Sequence, residues 1–128
     1  MANPVTGVDF VAVPSTDWKR ARAFYVETLG LRPDETGDAE FWVGETCFGI
    51  YEPATFGMEF APQTTAHLAL HVDDMEAARK GLEAKGVEFS GETFDTGVCH
   101  MAFFRDPDGN ALMLHHRYSP REQGRSDS

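Results

Sequence analysis

Basic residues are scarce in this chain. Lys and Arg number 11 against 21 Asp and Glu, which leaves a net charge of −10. Nucleic acid, anionic membrane surfaces and polyphosphates would be repelled, so none is expected as a partner. The excess would favour a cationic ligand, although a solvated surface that keeps the protein soluble is the plainer account of it. Cysteine is nearly missing too: Cys47 and Cys99 both fall inside strand-like runs, and no CxxC motif is present. Reduced thiols in a cytoplasmic protein are the expectation. No apolar run approaches the roughly 20 residues that cross a bilayer. The opening "MANPVTGVDF" has no basic segment followed by an apolar stretch, so no signal peptide is expected.

What is present suits one globular domain. A chain of 128 residues with 41% hydrophobic content can bury a core without disulfide staples. Along it runs strand, helix, strands, and then the same order again. "VDFVAVP" (8–14) is rich in β-formers, and "STD" supplies capping side chains. Trp18, Ala21, Tyr25 and Leu29 follow at helical spacing, with Gly30 and Pro33 ending the helix. "EFWVG" and "TCFGIYEP" predict two short strands. The stretch from Pro53 to Thr65 is turn-rich and unpatterned.

The second half opens with the strand "AHLALHV". A helix follows whose capping-box spacing runs from Asp73 to Glu76, with Met75, Ala78 and Leu82 as its apolar stripe. Glu76 and Lys80 make a favourable i,i+4 pair, and Gly86 ends the helix. "VEFSGETF", "GVCHMAFF" and "ALMLHHRY" are expected as strands. The residue types of "DPDG" are those of a tight type I turn with a bulge. These elements define one domain over 1–118, with module one at about 5–53, a linker at 54–65 and module two at 66–118. The tail 119–128 is polar and expected to fray.

The halves repeat each other. At an offset of 57, Ala12 meets Ala69, Asp17 meets Asp74, Ala21 meets Ala78 and Arg22 meets Arg79; Phe10 then meets His67. Near the end of each half the offset becomes 64, and Gly49 meets Met113. A repeated βαβββ order predicts an α+β fold of two modules, a curved mixed sheet around a cleft with the helices on the outer face.

"VDFVAVPSTDWKRARAFYVETLGL" and "AFFRDPDGNALML" resemble the opening and closing segments of the vicinal oxygen chelate superfamily, over residues 5–118. That superfamily includes glyoxalases, extradiol dioxygenases, fosfomycin-modifying enzymes and bleomycin-resistance proteins. The resemblance implies paired βαβββ modules, a U-shaped cavity and a homodimer, but no single reaction. In metal-using members, His or Glu side chains hold a divalent ion at places that correspond to Phe10, Gly49, His67 and Met113. Only His67 is of a ligand type. Phe10 stands where a histidine would follow Asp9, and Met113 replaces the glutamate after "DPDGN". A hard or borderline divalent ion needs three or more N or O donors, so the usual centre reads as dismantled.

Strand phase puts His67 on a face with Ala69 and His71, opposite Leu68 and Leu70. Ligand contact or proton handling, metal ligation and a structural role all remain open for it. His115 is in phase with Met113 and is its natural partner; the two imidazoles, with Glu52 or Tyr51 nearby, are the fallback metal set. His116 must face the other way. The resemblance places Phe103 in the cavity, with Met101 and Cys99, and points His100 away. Cys99 reads as a buried structural thiol, because neither a base nor a pKa-lowering charge accompanies it. Phe10, Gly49, Tyr51, His67, Phe103, Met113 and His115, with Phe41 or Trp42, form the expected lining of an apolar–aromatic pocket. Two functions follow. One is a small-molecule-binding protein without a cofactor, which sequesters an apolar or cationic compound. The other is a lyase, isomerase or dioxygenase-like enzyme that uses His67 with His115 as acid and base or in a rebuilt metal site.

Overall fold

The computed structural model describes residues 4–120. The expected frayed tail falls mostly outside the described residues. Two compact units are present: one runs to Thr64 and includes Asp106–Asn110, and the other comprises Thr65–Arg105 and the chain from Ala111. Each is a four-stranded mixed sheet with an α-helix after its first strand, which is the two-module βαβββ fold. Among the described residues no helix is long and apolar enough to cross a membrane.

In the first unit, β1 (Phe10–Pro14) pairs in parallel with β4 (Thr46–Tyr51). Antiparallel β3 (Glu40–Val43) and the short β2 (Arg32–Pro33) follow, giving the order β1-β4-β3-β2. Helix α1 (Trp18–Ala23) starts at Asp17, whose carboxylate accepts the Arg20 N–H, and continues into a π-helical turn, Phe24–Thr28. There the Leu29 N–H reaches back five residues to the Phe24 carbonyl, and Gly30 ends the segment at φ +76°. The sheet's helix-facing residues close the core. Tyr25, Phe41 and Phe48 are fully or almost fully buried, with ring centroids 4.8–6.2 Å apart. Burying each such ring contributes about 1.5–3 kcal/mol.

The second unit repeats the plan. β5 (Leu68–His71) pairs in parallel with β8 (Ala111–Arg117), then come antiparallel β7 (Cys99–Arg105) and β6 (Phe94–Asp95), in the order β5-β8-β7-β6. Its core is Leu70, Ala102, Phe104, Leu112 and Leu114. The offsets read from the sequence are those of the register: Ala12 lies beside Gly49 in one parallel pair, and Ala69 beside Met113 in the other. Asp17 and Asp74, matched at the same offset, both cap their helices.

Three local expectations change. The cap of α2 (Met75–Ala84) is Asp74, which accepts the Ala77 N–H, whereas Asp73 pairs with His71 at 2.9 Å. The capping-box spacing therefore fell one residue early; two adjacent aspartates offer two registers, and helix geometry selects the one whose carboxylate reaches the third amide. The strand expected over "VEFSGETF" shrinks to an isolated bridge, Phe89 to Phe104, and the two residues of β6. Gly91 at φ +75° turns the chain out of the ladder between them. The first strand begins at Phe10, opposite Cys47, so Val8 and Asp9 lie outside it and are exposed.

The "DPDGN" turn has the predicted geometry. The Gly109 N–H donates to the Asp106 carbonyl, and Gly109 sits at φ +91°. Its side chains do more than shape the turn. Asp106 accepts from the buried Tyr25 hydroxyl and from Asn110 Nδ2, and Asn110 Nδ2 also donates to the Pro14 carbonyl at 2.8 Å. Asp108 accepts from the Thr16 N–H, the Thr16 hydroxyl and Arg20. The turn is thereby part of the first unit's core.

Candidate functional site

The sheet face of the first unit that turns away from α1 forms the floor of a concavity of about 630 Å³. Strand alternation decides what it shows. β1 presents Phe10 and Ala12, and β4 presents Cys47, Gly49 and Tyr51, while Val13 and Phe48 are buried and the buried Ile50 also borders the space. β3 adds Glu40, which lies opposite Gly49. Phe41 and Trp42 separate here: Phe41 is in the core, and Trp42 is half-buried with its indole N–H on Asp34.

Two side-chain fastenings set the walls. Glu52, just past β4, accepts the Trp18 N–H at 2.9 Å and so holds the start of α1, with its indole, at one end of the concavity. At the other end, Asp34 accepts from Trp42 Nε1 and from the N–H groups of Thr36 and Gly37. The Trp42 hydrogen bond, then those amides, hold the Asp34 carboxyl well below the usual carboxylate range. Arg22 ties the same loop down through the Asp38 carbonyl at 2.6 Å. Gly37, Asp38 and Ala39 are therefore placed as a wall.

Cys47 faces the concavity, with its thiol 3.6 Å from Glu40 Oε2. Burial first, and then the Glu40 carboxylate, push this thiol up. It is thus held protonated and poorly nucleophilic. Gly49 has no conformational need to be glycine: its φ is not positive, and an added Cβ would meet only the Ala39 carbonyl at 3.6 Å. The missing side chain leaves the floor of the concavity bare.

The remaining candidates share one face of the second sheet. Phe103 lies opposite Met113, Met101 opposite His115, and Ala69 beside Met113. The His67 ring packs edge-on against Phe103, with centroids 5.3 Å apart. Met113, His115 and Phe103 are half-buried, and His67 is exposed. On the opposite face, His100 and His116 lie side by side beneath α2, where they line a second concavity of about 790 Å³. His116 Nδ1 is 3.0 Å from the Val72 carbonyl. Cys99 is buried with its sulfur 3.1 Å from the Thr96 hydroxyl, a structural setting.

The structure thus brings Phe10, Gly49 and Tyr51 together in the first unit, and His67, Phe103, Met113 and His115 together in the second. The four positions implied as metal ligands do not fit a divalent ion. A phenyl ring and a bare backbone donate nothing, a thioether is a poor donor to such an ion, and one imidazole remains. Among the described residues no three His, Cys, Asp or Glu side chains are grouped to hold a metal. Sequence reading passed over Trp18, Asp38 and Glu40. Trp18 was read as helix stripe, and only its place in the first turn after β1 signals that it borders the sheet's open face.

Comparison with known proteins agrees with this architecture. The family model described as the glyoxalase/bleomycin resistance protein/dioxygenase superfamily matches residues 7–114. The uncharacterized protein YaeR of Escherichia coli K12 is 31% identical over 121 residues, covering 84% of this chain and 94% of that one. The structure of TnmS3, an antibiotic binding protein from Streptomyces sp. CB03234, is similar with a TM-score of 0.72 and 27% identity. The match covers 91% of this chain and 99% of that one. A glyoxalase/bleomycin resistance protein/dioxygenase from Nocardioides shares the fold at a TM-score of 0.76 and 16% identity, over 98% of this chain and 92% of that one. With the family model matched over residues 7–114 and two βαβββ modules in place, the chain belongs to the glyoxalase/bleomycin resistance protein/dioxygenase superfamily.

Proposed function

We propose that the protein binds a small organic molecule in the concavity of its first unit and sequesters it unchanged, without a metal centre. The observation that carries this reading is the lining itself: Phe10, Trp18 and Tyr51 around a floor left bare at Gly49, where the superfamily's metal users place a ligand. A volume near 630 Å³ with a mostly apolar wall and a few polar groups suits a drug-sized compound. Similarity to an antibiotic binding protein supports the same class of role.

The catalytic alternative draws less support. A general base is normally oriented by a hydrogen-bonding partner, whereas His67 rests against the Phe103 ring. Titration of the protein with planar aromatic compounds, followed by tryptophan fluorescence and calorimetry, tests the proposal. Saturable binding is expected, weakened at least about tenfold by Phe10→Ala and by Trp18→Ala, with the compound recovered intact by mass spectrometry. Chemical conversion of the bound compound, abolished by His67→Ala, would overturn it.

A further inference from the structure

We infer that the molecule held in the first unit's concavity is an organic cation with a flat unsaturated body. The inference rests on the reading that this concavity is the binding site, and it specifies the charge and shape of the occupant. Three aromatic side chains, Phe10, Trp18 and Tyr51, stand around the space together with three carboxylates, Asp38, Glu40 and Glu52. Among the described residues, no Lys, Arg or His lines it. Two cations contact lining residues without themselves lining the space. Lys19 Nζ sits 5.8 Å from the Trp18 ring, and Arg22 is bound to the Asp38 carbonyl.

Charge and shape select together. An aromatic wall stacks a planar molecule, and the negative faces of its rings attract positive charge. Carboxylates at the margins of a partly enclosed apolar space act on a ligand at a lower effective dielectric than bulk water does. They repel an anion there and offer an uncharged molecule no charge attraction. Glu52 and Glu40 each spend Oε2 inside the protein, on the Trp18 N–H and near the Cys47 thiol respectively, so both are held at the site instead of swinging in solvent. An excess of acid over the whole surface would not by itself place three acids, and among the described residues no base, around one concavity.

Three bicyclic probes of similar size separate charge from shape: N-methylquinolinium, quinoline (uncharged at about pH 8) and 2-naphthoate. Calorimetric titration of the wild-type protein is expected to rank them in that order, with the cation at least about tenfold tighter than quinoline and its advantage reduced by salt. The triple isosteric variant Asp38→Asn/Glu40→Gln/Glu52→Gln, checked for an unchanged circular dichroism spectrum, should bring the cation to within about twofold of quinoline and leave quinoline's own affinity in place. If quinoline equals the cation in the wild type and both are lost with Phe10→Ala, the charge inference is overturned while the apolar binding site stands. If none of the three binds, the inference and the binding-site reading fall together.

Discussion

At the scale of single residues, the most consequential arrangement is the buried one around Tyr25. Its hydroxyl donates to Asp106, and Asn110 donates to both Asp106 and the Pro14 carbonyl, with Tyr25 and Asn110 fully buried. Burial first, and the Asp106 carboxylate next, drive the Tyr25 hydroxyl far above its ordinary range, so it remains a donor at any practical pH. Tyr25→Phe leaves a buried carboxylate oxygen short of a partner, and a loss of about 1–3 kcal/mol is expected in denaturant unfolding. Asp108 adds a pH dependence. Its burial acts to raise its pKa, but the Thr16 N–H, the Ser15 and Thr16 hydroxyls and Arg20 together pull it below the ordinary 3.8. A carboxyl depressed on folding stabilises fully above its unfolded value and loses that contribution as pH falls through the folded one. Wild-type stability should therefore drop more steeply below pH 3.8 than that of Asp108→Asn, a difference that denaturant midpoints taken across the acid range would measure. For Cys47 the shift has the opposite sign, and alkylation by iodoacetamide should be slow at neutral pH, with Glu40→Gln moving the rate profile to lower pH. An unmoved profile would remove Glu40 as a cause.

At the scale of elements, much of the order was legible because each signal was local. Glycines that end helices, a Pro-Asp-Gly turn and alternation along β4 and β8 act within a few residues, and those elements stand where they were expected. What was not legible depends on partners distant in sequence. The Asp106 and Asn110 side chains satisfied the turn's own chemistry, so nothing local announced their bonds to Tyr25 and Pro14. Nor could alternation near Phe41 and Trp42 decide which ring faced the core, since both are aromatic and only the position of α1 breaks the tie. The helix caps offer a direct check. Asp17→Ala and Asp74→Ala should each cost about 1 kcal/mol, whereas Asp73→Ala, which removes an exposed pairing with His71, should cost far less. Equal losses at Asp73 and Asp74 would show the cap shared between two registers.

At the scale of the whole molecule, the duplication was the strongest sequence signal, and the register carries it down to single pairs: Gly49 beside Ala12, Met113 beside Ala69. The same two positions bear on the proposed function, because the resemblance to the superfamily's metal-using members implies ligands where this chain has a glycine and a methionine. Phe10 and Gly49 were readable for that reason, by asking which positions should donate and finding side chains that do not. The rest was hidden, since Trp18, Asp38 and Glu40 reach the concavity through the placement of a helix start and a pinned loop, which no spacing rule encodes. Metal analysis of protein purified without chelator, paired with probe titration before and after dialysis against EDTA, tests the central claim most directly. The account predicts less than about one tenth of a divalent metal per chain and the same probe affinity on both sides of the dialysis. One tightly held divalent metal per chain, lost in His67→Ala and required for binding, would contradict it.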